Sequence, residues 1–156
     1  MDDALRQFLA RLLDWEESHA RFDSAVGDLP AALRGERPEG APHSAWELVE
    51  HIRLAQRDIL DFCRDPHYRE RKWPDDYWPK APAPPSAKAW AESIRQYHAD
   101  VDAFKQLILD PEFDLFAKVP WGGGQTHLRE ILLTADHTAY HVGQIVLVRR
   151  LLGAWK

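Results

Sequence analysis

The chain has 156 residues, of which 45% are apolar and 29% charged, with 20 Lys and Arg against 25 Asp and Glu. That length suits one core rather than two, and the apolar share excludes wholesale disorder. The net charge of −5 excludes a chain-wide basic footprint for nucleic acid, and the single cysteine, Cys63, excludes an internal disulfide framework. No run approaches the roughly 18 apolar residues of a membrane span. The opening MDDALRQFLA lacks the basic and apolar regions of a signal peptide. The expectation is one cytoplasmic domain over residues 1–156.

Residues 2–26 read as an amphipathic helix. Leu5, Phe8, Leu9, Leu12, Trp15, Phe22 and Val26 recur at spacings of three, four and seven, and Gly27 and Pro30 end the pattern. Residues 34–42 form a polar Pro/Gly loop. A second helix starts at Ser44, where Glu47 completes a capping box, and runs through Cys63 to a stop at Asp65 and Pro66.

Residues 65–85 carry six prolines together with Tyr68, Trp73, Tyr77 and Trp78. Proline at that density is incompatible with a regular helix. Fully extended, the segment covers about 70 Å, against about 30 Å for a 20-residue helix, so it can return the chain to the far end of a bundle. Ser86 caps a third helix that ends at Asp110 and Pro111. Thr126 begins a fourth, which Gly153 ends. No segment reads as a strand, and the fold class is an all-α four-helix bundle with a long crossover between the second and third helices.

Of the eight histidines, His137 and His141 stand four apart and share a face of the fourth helix. Random placement of eight histidines gives about 0.4 such pairs, so spacing alone is weak. Context adds weight: the pair sits among Ile131, Leu132, Val142 and Ile145, where two unpartnered imidazoles are costly to bury. A metal ion would satisfy them, and His51, centrally placed on the second helix, is the best third ligand. The alternative is a set of core or rim histidines bonded to backbone or carboxylates.

The segments HSAWELVEHIRLAQ around His51 and DHTAYHVGQIVLVRRLLG from Asp136 resemble the DinB-like (YfiT-like) superfamily of metal-dependent enzymes. The resemblance implies a four-helix bundle whose second and third helices are joined by a long crossover. It also implies a metal triad of His51, His137 and His141 holding one divalent ion, Zn or Ni. A small-molecule substrate follows from it, with low-molecular-weight thiols among the options, and a homodimer. Apolar positions on the first and third helices would serve as the dimer interface.

Three imidazoles leave a coordination position open, the pattern of a catalytic site. Two chemistries fit: hydrolysis by an activated water, or transfer of an activated thiol. Glu47, one turn before His51, is a candidate general base, with the capping box as its competing role. Gln144, three residues after His141, can orient a ligand or make an interhelix hydrogen bond. Trp46, Trp73, Trp78 and Trp121 are candidates to line a substrate mouth, against ordinary core and loop-covering roles. Asp136 points about 100° away from His137 and reads as solvated. Gly122 to Gly124 lack the Lys and the strand of a phosphate loop, and Cys63 reads as a packing residue. A non-catalytic ligand-binding or stress-response module, and a purely structural self-associating bundle, are the competing functions.

Overall fold

The computed structural model describes residues 2–155. The chain forms α1 (Asp2–Leu12), α2 (Phe22–Val26), a 3₁₀ turn (Ala31–Leu33), α3 (Ala45–Arg64), α4 (Ala87–Leu109) and α5 (His127–Leu151). Among these residues there is no strand, only an isolated antiparallel bridge between Lys118 and Thr126. None of the helices is long and apolar enough to cross a membrane. The helical bundle and the long crossover are as the patterning implied, the crossover lying between α3 and α4.

The three long helices start as their sequences dictate. Ser44 Oγ accepts from Glu47 N while the Glu47 carboxylate accepts from Ser44 N, so both halves of the capping box are present. Ser86 and Thr126 cap α4 and α5 through Ala89 N and Arg129 N. Helix α3 lies at the centre, packed on α4 and α5, while α1 and α2 cover α4 and α5. Leu48, Ile52 and Leu60 of α3 meet Phe104 and Ile108 of α4 and Ile131 and Ile145 of α5 in one fully buried core. Each such side chain contributes about 1.5–3 kcal/mol on burial.

The expected single N-terminal helix is two. It breaks after Leu12 and resumes at Phe22. Residues 16–19 read Glu-Glu-Ser-His, a full turn with nothing apolar, so a continuous helix would bury nothing there. The polar groups pair with charged side chains instead. Asp14 pairs with Lys105 of α4 at 2.5 Å, and Glu16 pairs with Arg21 at 3.3 Å.

Two buried arginines tie the chain ends to the bundle. Arg6 of α1 donates to the carbonyls of Ile108, Asp110 and Phe113, which gather at the end of α4. Arg149 of α5 donates to the carbonyls of Ala25, Gly27 and Ala154 and pairs with Asp28 at 2.6 Å. A guanidinium has five donors, so each satisfies several carbonyls that helix ends leave open.

Residues 65–86 run across α3 as the crossover. The hydroxyls of Tyr68 and Tyr77 both donate to Asp58, at 3.2 and 2.6 Å, and Arg71 pairs with the same carboxylate at 3.4 Å. The crossover also meets the 34–42 loop at Gly35, where an added Cβ would come within 2.3 Å of the Ala83 side chain, so only glycine allows the approach.

Candidate metal centre

Helices α3 and α5 deliver the three histidines to one point. His51 and His141 are buried and His137 is half-buried. One ring nitrogen from each lies within 4.8 Å of the other two, and the Nε2 atoms of His51 and His137 are 3.1 Å apart. The imidazoles stand edge to face, with centroids 4.5 to 4.9 Å apart, so the ring edges converge.

The neighbours fix which nitrogens converge. His51 Nδ1 lies 2.9 Å from the Tyr77 carbonyl, which can only accept, so Nδ1 carries the proton. His141 Nδ1 lies 2.8 Å from Gln144 Oε1 and donates to it in the same way. Both rings therefore present an unprotonated Nε2 to the cluster, the arrangement by which outer partners orient metal-binding histidines. Trp78 stacks on His51 with centroids 3.9 Å apart and planes 2° from parallel, which holds the ring's tilt.

Burial depresses all three pKa values. His51 is lowered to about 4, first by desolvation and then by the neighbouring His141 and His43, with the Tyr77 hydrogen bond opposing. His137 is lowered to about 3 by desolvation and by the other two rings. His141 is lowered by desolvation, against the Gln144 hydrogen bond. The rings are thus neutral, as metal ligands must be. Two lone pairs aimed at each other across 3.1 Å repel unless a proton or a cation stands between them. Two ligands on one tetrahedral zinc sit about 3.4 Å apart. The donor set fits a divalent ion, and this three-histidine group can hold one.

A cavity of about 550 Å³ opens on the cluster, lined by His51 and His137, by Trp73, Tyr77 and Trp121, and by Asp58 and Glu130. The two carboxylates lie seven residues from His51 and from His137, which keeps them on the histidine faces of their helices. A second cavity, about 560 Å³, opens between α4, α5 and the segment joining α1 to α2. It contains none of the three histidines, and four of its lining groups pair with one another, Asp14 with Lys105 and Asp23 with His98. The histidine-lined cavity is the one that adjoins the three-histidine group.

The remaining residues singled out in the sequence are distributed as follows. Glu47 is buried, with both carboxylate oxygens on Arg37 and one of them also on Ser44 N. It holds the start of α3 and bonds to no histidine of the cluster. Gln144 orients the His141 ring rather than bridging helices. Trp46 is a core residue, 5% exposed and packed on Trp90, so it does not line the cavity. Trp73 is exposed and stands edge-on to His51 with centroids 6.4 Å apart. Trp121 lines the cavity and donates from Nε1 to the Phe62 carbonyl at 2.8 Å. Trp78 lies over His51 and also stacks on His43. Gly122 lies so close to the Phe62 ring that an added Cβ would fall 2.8 Å from it, so the glycine serves packing. Cys63 is buried and its thiol is pushed up to about 12 by desolvation. Asp136 is exposed.

Sequence reasoning did not find the Tyr77 carbonyl, because a backbone acceptor has no residue signature. Nor did it find Asp58, whose spacing from His51 was a readable signal.

The profile of the DinB superfamily matches residues 14–145. That span holds α2 to α4, the crossover, all three histidines and most of α5. No curated protein and no solved structure matches the chain. With the match covering most of the chain, and with α3 and α5 converging on His51, His137 and His141, the chain belongs to the DinB superfamily.

Proposed function

We propose that the protein is a metal-dependent enzyme acting on a small molecule in the cavity beside His51 and His137, and that its reaction is transfer of a low-molecular-weight thiol. The carrying observation is the convergence of three neutral imidazoles beside an open cavity rather than inside a closed shell. Zinc or nickel suits an all-imidazole donor set. A divalent ion bound there supplies the positive charge that lowers the pKa of a thiol or a water at its open side.

Thiol transfer is preferred to hydrolysis on one ground. Attack by water calls for a general base within hydrogen-bond reach, and the two carboxylates of the cavity are already engaged, Asp58 by Tyr68, Tyr77 and Arg71 and Glu130 by Arg129. Glu47, the candidate one turn away, is held by Arg37 and Ser44. A thiol needs only to lose its proton to become a nucleophile. In this reading the Tyr77 carbonyl and Gln144 keep the Nε2 atoms directed inward. Trp73, Trp78 and Trp121 form the apolar wall and partial lid that shield the sulfur from water.

The test is turnover of a panel of thiols with alkylating electrophiles, beside ester and amide substrates. The metal-loaded protein is compared with free metal and with His137→Ala. Thiol conjugation above the free-metal rate, lost in the variant, supports the reading. Ester or amide turnover alone shifts it to hydrolysis. No turnover of either class with metal bound leaves a ligand-binding module.

A further inference from the structure

Helix α5 is a wall between two cavities. His137 and His141 stand on the side that meets α3. Ala135, Ala139 and Val142 stand on the opposite side, against the second cavity. That cavity, about 560 Å³, lies under residues 13–21, the segment that interrupts the N-terminal helix. Its wall is apolar and partly aromatic. Trp15, Phe22 and the Tyr97 ring line it, with Phe22 and Tyr97 stacked at 3.8 Å between centroids. The volume is that of a small-molecule site.

Two hydroxyls in this wall have no protein partner. Tyr97 is 2% exposed and Thr138 8%, yet neither hydroxyl bonds to any group among the described residues. Nor is either sealed off: among the described residues, the buried side-chain atoms closed off without a partner are Asp100 Oδ2 and Gln125 Oε1. Both Tyr97 and Thr138 line this cavity, so their hydroxyls open into it. Burial, then the charges of Asp23 and Asp14, hold the Tyr97 phenol above its usual range, so it keeps its proton. A polar group without a partner in an apolar wall costs free energy that a bound ligand would recover.

The charges at the mouth set the sign of that ligand. Asp14 pairs with Lys105, Asp23 with His98, and Arg21 with Glu16. Asp102 of α4 and Asp136 of α5 also line the cavity, and both are exposed. Neither has an ion pair or hydrogen bond with any described residue. An anion there would meet two uncompensated carboxylates, whereas a cation is attracted by them and by the aromatic faces.

We propose that this cavity is a second binding site, separate from the metal centre, for a small organic amine with an aromatic or bulky apolar body. The body lies against Trp15, Phe22 and Tyr97. Its polar atoms meet the Tyr97 and Thr138 hydroxyls, and its ammonium group faces Asp102 and Asp136. The site needs neither the metal nor the reaction proposed above.

Isothermal titration calorimetry of the full chain tests this, with tryptamine and phenethylamine beside the matched carboxylates indolepropionate and phenylpropionate. Each amine should bind once per chain, about tenfold or more tighter than its carboxylate. Tyr97→Phe keeps the ring and its stack on Phe22, and should weaken tryptamine about two- to tenfold. Asp102→Asn with Asp136→Asn should cut the preference for amine over carboxylate by about threefold or more. Ala139→Trp fills the cavity and should abolish binding. Should that variant fail to fold, Tyr97→Phe, which removes only an unpartnered hydroxyl, still decides. Trp73→Ala and His137→Ala alter the other cavity and should leave affinity within about twofold. Amines that bind no tighter than their carboxylates, or not at all, overturn the proposal. So does binding that is lost in Trp73→Ala or His137→Ala and kept in Tyr97→Phe, which would place the amine at the metal centre.

Discussion

Replacing Gln144 by leucine removes one hydrogen-bond acceptor and leaves all three imidazoles in place. In the wild type Gln144 Oε1 holds the His141 Nδ1 proton at 2.8 Å, so the lone pair of Nε2 faces His51 and His137. Leucine keeps the side-chain bulk and helix propensity, so α5 is unaffected. His141 then loses the partner that fixes its tautomer and ring angle. Losing an outer partner of a metal-binding histidine costs about 10- to 100-fold in affinity. Gln144 is neutral, only half-buried, and acts on one ligand of three, which puts the cost at the lower end, about tenfold or about 1.4 kcal/mol. Gln144→Glu keeps an acceptor in the same place and should bind zinc at least as tightly as wild type. Competition with a chromophoric chelator at fixed pH measures all three affinities. A leucine variant within about twofold of wild type, or a glutamate variant weakened as much as the leucine one, would refute the reasoning.

Glu47→Ala removes half of the α3 capping box and the partner of Arg37. It should cost about 1–2 kcal/mol in denaturant titration while leaving metal stoichiometry unchanged; loss of metal with no loss of stability would contradict its structural role. Arg149→Leu leaves the carbonyls of Ala25, Gly27 and Ala154 without their donor and removes the partner of the exposed Asp28. A buried carbonyl left without a partner costs about 1–3 kcal/mol, so the expected destabilisation from the three is about 3 kcal/mol or more, and a change below about 1 kcal/mol would show that water replaces the guanidinium. The Cys63 thiol, raised to about 12 by burial, should stay protonated and unreactive toward a disulfide reagent at pH 8 in the native protein. It should react promptly once the chain is unfolded, and rapid native labelling would place it at the surface.

Much of this was readable in the residues, for identifiable reasons. The starts of α3, α4 and α5 are set by Ser44, Ser86 and Thr126, and a cap is a local interaction between residues three apart. The histidine pair on α5 was legible because helical spacing fixes a shared face. His51 was the best-placed third ligand by its central position on α3, but that it meets the pair depended on how α3 packs against α5, a long-range fact that the family resemblance implied. The break between α1 and α2 was hidden because apolar spacings of seven span a wholly polar turn. The role of Gln144 was half visible: its spacing from His141 was clear, but a ring nitrogen and a bound ligand look alike as partners in sequence. The part of the crossover was least legible. Its aromatics suggested a lid, yet its firmest contact with the site is the Tyr77 carbonyl on His51, which any residue could provide.

Elemental analysis of the untagged protein, wild type beside His137→Ala, bears most directly on the central claim. About one zinc or nickel ion per chain in wild type, absent from a folded His137→Ala, is the result expected of a three-histidine metal centre. No metal in wild type after exposure to saturating zinc would contradict it, and the three imidazoles would then be polar packing groups of the bundle.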